Sequence, residues 1–143
     1  MPNPPPLAAD RPADRPLQKR KTTMATPNIV NVATINAKNA TALLDGTSRT
    51  TAVDVPAEKI AKINTILVAN VDGTNAADIT IEVSVDNGSN YVKIANTISV
   101  PADATLSFLE NPIYLDETDI LAVTASANSD LTYLVSYEEM KDA

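Results

Sequence analysis

The body of the chain is a run of short segments in which apolar and polar residues alternate. Ile29–Ala37 puts Ile29, Ala33 and Ile35 on one side and Val30, Val32 and Thr34 on the other. Thr41–Leu44 is short and ends at the Asp45-Gly46 turn signal, and Arg49–Val55 is rich in Thr and Val and stops at Pro56. Ile60–Val71 is the longest run, and Ile63, Ile66, Leu67 and Val68 supply both of its faces, as a central strand covered on two sides requires. Asp78–Val85 alternates most cleanly, with Ile79, Ile81, Val83 and Val85 against Thr80, Glu82 and Ser84. Asn87-Gly88 then predicts a hairpin, because both positions tolerate positive φ. The return strand is Tyr91–Val100, with Val92, Ile94, Ile98 and Val100 expected to face inward. Thr105–Leu109, Ile113–Leu115, Ile120–Ala125 and Leu131–Glu138 complete the set, with Pro101 and Pro112 at strand starts or edges, where a missing donor costs little.

About eight to ten short strands with no convincing helix, punctuated by turns every 8–12 residues or so, predict an all-β, single β-sandwich of jelly-roll-like type. Val-Pro-Ala occurs at Val55–Ala57 and again at Val100–Ala102, but the flanking residues diverge, so no internal duplication follows.

Residues 1–23 read differently. They hold six of the ten prolines, which fix φ and remove backbone donors, so the stretch joins neither a helix interior nor a central strand. It is expected to be an extended, polyproline-II-like arm of about 70 Å at ~3.1 Å per residue. Three readings stand side by side: a disordered segment, an upstream extension of a chain that starts at Met24, and an arm that orders on a neighbouring subunit. The domain division is therefore an arm, 1–23, and a sandwich, 24–143.

Charge sharpens that division. The arm carries Arg11, Arg15, Lys19, Arg20 and Lys21 against Asp10 and Asp14, a balance of +3. The body carries six basic and sixteen acidic residues, a balance of −10, and the whole chain is −7. The five cations of the arm are the candidate protein-interaction residues. The acidic body argues against a nucleic-acid partner, whose phosphates need a basic footprint. Large core fillers are scarce, with no Trp, one Phe and four Tyr, so the core must be built from Ile, Val, Leu and Ala. No stretch of about 18 apolar residues is present, so no membrane span is expected. Leu7-Ala8-Ala9 runs straight into Asp10, unlike the apolar region of a secretory signal, and the lack of Cys favours a cytosolic origin.

Little chemistry can hide in this composition. With no His and no Cys, the Ser-His-Asp and Cys-His arrangements and the usual zinc sites cannot be built. The three isolated glycines make no phosphate loop. Asp116, Glu117 and Asp119 in one turn, and Asp72, Asn75 and Asp78 in another, could offer oxygens to Ca²⁺, but turns favour these residues anyway. Tyr133 and Tyr137 share a strand face and could stack on a sugar, though packing in the core or at a subunit contact is the simpler expectation. Glu138-Glu139 reads as a solvated end. No catalytic, cofactor or metal residue is assigned, and no enzyme activity is expected.

The segment Lys62–Glu139, through "VANVDGTNAADITIEV", "VPADATL", "PIYLDETDILAVTAS" and the ending "SYEE", resembles small virion structural proteins of tailed bacteriophages. With "INAKNATALLDGTSRTTAVDVPA" before it, the likeness covers nearly the whole body and leaves out residues 1–23. The resemblance implies a non-enzymatic β-sandwich subunit of the particle, most simply a capsid decoration (cement) protein. It would be a homo-oligomer, with the major capsid protein or other virion subunits as partners, in virions assembled in the host cytoplasm. The alternatives it leaves are a neck or tail adaptor and a fibre module that binds host glycan. It brings no catalytic residues and no cofactor.

Overall fold

The computed structural model describes Pro2 and residues 27–143. Within them the chain forms nine strands: β1 Val32–Leu43, β2 Thr50–Asp54, β3 Ile60–Asn70, β4 Ala77–Ser84, β5 Val92–Val100, β6 Thr105–Ser107, β7 Ile113–Leu115, β8 Ile120–Ala125 and β9 Leu131–Asp142. No helix occurs among the described residues. β3, β7 and β8 lie where the alternation places them.

The strands form two antiparallel sheets, one ordered β1-β9-β3-β6 with β7 also paired to β3, the other ordered β2-β8-β4-β5. The pairings nest: β1 with β9, β2 with β8, β3 with β6 and β7, β4 with β5. The chain is thus one long hairpin, with its tip at the β4–β5 turn, rolled up so that alternate rungs fall in opposite sheets. That is a jelly roll with one position split into β6 and β7. The split follows from Phe108–Pro112, where Pro112 interrupts pairing to β3.

The rolling buries one face of each sheet against the other. Ile63, Ile66 and Val68 of β3 and Val135 of β9 meet Ile79 and Ile81 of β4 and Leu121 and Val123 of β8, all fully buried. Each such side chain contributes roughly 1.5–3 kcal/mol relative to exposure. The core is aliphatic, as composition requires, with Tyr133 as its only buried aromatic and Phe108 packed at its margin.

Three expectations are corrected. Ile29–Ala37 and Thr41–Leu44 belong to a single 12-residue strand, β1, while Ile29 and Val30 lie in the turn before it. β1 is almost wholly exposed on both faces, because it is the outermost strand of its sheet; of its residues Ala40 packs against the core. In β4 the polar side is also covered: Glu82 and Ser84 are buried. In β5, only Val100 of the four inward-facing residues is buried; Val92, Ile94 and Ile98 stay exposed. Register shifts against β4 on either side of Ile81 and the left-handed backbone of Thr97 (φ 48°) break the alternation there.

Candidate interaction surfaces

The exposed side chains of β5 line one wall of a groove of about 410 Å³. Val83, Val92 and Ile94 form that wall, Ile113, Tyr114 and Leu115 of β7 the opposite one, and Val85, Asp86 and Asn90 close its end. The groove is the open side of the sandwich, between the edge strand of one sheet and the three-residue β7 of the other. β7 is too short to cover β5, so Val85, Val92, Tyr114 and Ile94 remain 74, 65, 56 and 48% exposed. The surface so left is almost wholly apolar, which makes it the candidate contact site of the described residues. The only charged residue of its lining is Asp86, whose carboxyl is held below the usual range by the backbone N–H and then the side chain of Asn90.

The turn that ends the groove is built locally. Asn87 and Gly88 both have positive φ (55° and 79°), and the Ser89 N–H donates to the Asp86 carbonyl at 3.3 Å, the two-residue turn expected of Asn-Gly. Ser84 Oγ accepts from the Gly88 N–H at 2.9 Å and donates to Asp86 Oδ1 at 2.8 Å. The turn also delivers Tyr91 to the outer face of the sheet, where Arg49 lies over its ring and ion-pairs with buried Glu82. Hydrogen bonds from Arg49 hold the Glu82 carboxyl low.

A second buried acid sits at the other side of the molecule. Glu139 accepts from Lys59 Nζ at 2.6 Å and Lys38 Nζ at 2.9 Å. Burial opposes its ionisation, but those two bonds outweigh it and keep the pKa low. The expectation of a solvated Glu138-Glu139 end therefore fails at Glu139, because β9 runs on to Asp142 between β1 and β3.

The carboxylate turns stitch backbone. Asp119 Oδ2 accepts the Asp116 N–H at 2.8 Å, Asp116 Oδ1 the Glu117 N–H at 2.8 Å, and Glu117 Oε2 the Glu58 N–H at 2.8 Å. Burial pushes Asp119 up. In the other turn Asp72 binds the Thr74 N–H and the Asn75 amide, while Asp78 turns its own N–H to Ser126 Oγ. Among the described residues no three His, Cys, Asp or Glu side chains are placed to hold a metal ion. Tyr133 is buried and Tyr137 packs against the core, so the pair offers no sugar platform. Arg11, Arg15, Lys19, Arg20 and Lys21 lie outside the described residues. The groove went unread in the sequence; its signal was the apolar face of Tyr91–Val100 beside so short a β7.

No protein-family model matches the chain, and no curated protein matches it. Two solved structures are similar to it, each described as a pentameric capsid protein isolated from metagenomic phage sequences. Both are 16% identical with a TM-score of 0.34. The first likeness covers 80% of this chain and 62% of that one, so the chain spans less than two thirds of that structure's length. The second covers 86% and 73%.

Proposed function

We propose that this protein is a non-enzymatic structural subunit of a phage virion, a decoration (cement) protein that holds to the shell through its sandwich body and its basic arm. The observation that carries the reading is the apolar groove, with four large side chains left open on a domain whose core is complete without them. Its buried acids are engaged in ion pairs and turns, so they serve the fold and leave the surface to make contacts. The resemblance of Lys62–Glu139 to small tailed-phage virion proteins supplies the class of partner. Fold alone would not, since jelly rolls host many functions.

The mechanism is adhesion by area. β1 and β5 are unpaired edges, each open to another chain, and the arm adds contact at the cost of ordering it. The alternative of a glycan-reading fibre module loses its tyrosine pair to the core; a neck or tail adaptor would use the same surfaces at a different place in the particle.

The test is co-sedimentation of the purified full chain with shells that lack it, followed by cryo-EM of the complex. Saturable binding at symmetry-related shell positions is expected. Density confined to the neck or tail would replace decoration by the adaptor role, and no co-sedimentation would sink the virion reading.

A further inference from the structure

We propose that the groove between β5 and β7 is the socket for the Pro-rich arm of a neighbouring copy, with the apolar run Pro4–Ala9 seated between Val92, Ile94 and Tyr114 and Arg11 reaching Asp86. This deepens the reading above and rests on its premise that copies associate.

Chemistry selects the occupant. Residues 4–9 are six uncharged residues, three of them consecutive prolines followed by Leu7. Such a segment is pre-extended, loses little entropy on docking, and is recognised by apolar grooves that carry an aromatic ring. The groove supplies Tyr114 and aliphatic walls. At about 410 Å³ it takes a few side chains rather than a folded domain. Arg11 stands two residues beyond the apolar run and can reach Asp86, the one charged lining residue, but Asp10 lies between them, so the seating is carried by the uncharged run and the charge contact is secondary. Lys93, the only cation of β5, pairs in register with Glu82, whose side chain lies on the outer face, away from the groove.

Topology selects whose arm it is. The arm enters at Pro27, next to β1, and its root is fastened there: the Asn28 N–H donates to Asp142 Oδ2 at 3.3 Å and the Ala143 N–H to the Asn31 carbonyl at 3.0 Å. β1 and β2 are the outer strands at one side of the two sheets; β5, β6 and β7 are at the other. Root and socket therefore lie on opposite sides. An arm from residue 27 to residue 6 spans about 65 Å at ~3.1 Å per residue, against a domain about 35 Å across for a radius of gyration of ~13 Å. A return around its own body, about 55 Å along half the circumference of such a domain, would use nearly all of that length pressed to a curved surface, whereas a straight path leads to the next copy. A contact from one side to the opposite side is heterologous, and repetition closes a ring or extends a row.

The chain has no cysteine, which makes the test clean. Full-length Leu7→Cys and full-length Val92→Cys, carrying different affinity tags, are mixed without shells and oxidised with diamide. The expected result is a covalent heterodimer, roughly tenfold or more above that from Leu7→Cys with Thr51→Cys, a control on the far edge strand. The double variant Leu7→Cys/Val92→Cys should give a ladder of covalent oligomers. A cross-linked monomer alone would overturn the assignment to a neighbour, and no excess over the control would overturn the socket. Ile94→Lys added to that double variant, at a half-exposed groove position that leaves both cysteines in place, should abolish the ladder without moving Tm. If Val92→Lys dissociates the oligomer while deletion of residues 1–23 leaves its sedimentation unchanged, the groove takes a second copy's body and the arm proposal is wrong. Cross-linking without shell binding would fail the virion reading alone; shell binding without cross-linking would fail this one alone.

Discussion

Arg49 grips Glu82 with two hydrogen bonds, Nε to Oε2 at 2.7 Å and Nη2 to Oε1 at 3.1 Å, while its guanidinium carbon lies 4.0 Å from the centroid of the Tyr91 ring. One side chain thus neutralises a buried acid and fastens the β4–β5 turn to the outer face of its sheet. Arg49→Ala leaves the Glu82 carboxylate buried and unpaired, the costly way to break such a pair. Arg49→Ala/Glu82→Leu removes that burden. Urea midpoints should therefore rank wild type, then the double variant, then Arg49→Ala, and a double variant less stable than Arg49→Ala would contradict this account.

Acid should destabilise the fold. Asp72, Glu82, Asp86 and Glu139 all have folded pKa values below the ordinary range. A depressed carboxylate stabilises above its unfolded pKa, about 3.9 for Asp and 4.3 for Glu, and that contribution is lost as pH falls through the folded value. Asp119, raised by burial, acts in the opposite sense, one group against four. Lys38, raised mainly by its bond to Glu139, stabilises below its unfolded pKa and loses this only at strongly alkaline pH. Thermal melts should be level near neutrality and fall below about pH 4, with Glu139→Gln flattening that acid limb.

Gly88 holds a left-handed backbone, and a Cβ there would come within 3.3 Å of the Tyr91 hydroxyl and 3.4 Å of Ile120 Cδ1. Gly88→Val should cost about 1–2 kcal/mol from backbone strain alone, more with the crowding. Chemical denaturation measures the loss. Equal stability of Gly88→Val and wild type would mean that the turn is not held as described.

Core and groove should respond oppositely. Ile66 is fully buried, and Ile66→Ala is expected to cost about 2–5 kcal/mol. Ile94→Ser, at a half-exposed position, should stay within about 0.5 kcal/mol of wild type in unfolding yet weaken self-association by sedimentation. A large unfolding cost at Ile94 would make the groove part of the core.

Alternation revealed the strands well where both ends of the pattern are packed, as at Ile60–Asn70 and Ile120–Ala125. It failed where it could not know what lies opposite. Val92 and Ile94 have the spacing of a buried face, but burial depends on β7, which Pro112 confines to three residues. Glu139 reads as a surface charge because its partners stand 101 and 80 residues away in the chain. The groove was illegible for the same reason: its two walls come from strands that only the rolling of the hairpin brings together.

The nesting of the strand pairs also sets an order of events. β4 and β5 are close in sequence and can pair as soon as they are made, whereas β1 must wait for β9, about a hundred residues further on. The arm's root is tied to Asp142 and Ala143. Asn28 therefore gains its anchorage only when a residue 114 positions further on is in place. A chain that lacks β9 would leave β1 without its pairing strand and Asn28 without its Asp142 partner. Stopping the chain before Leu131 should leave the β1 segment open to proteases, and full protection there would refute this order.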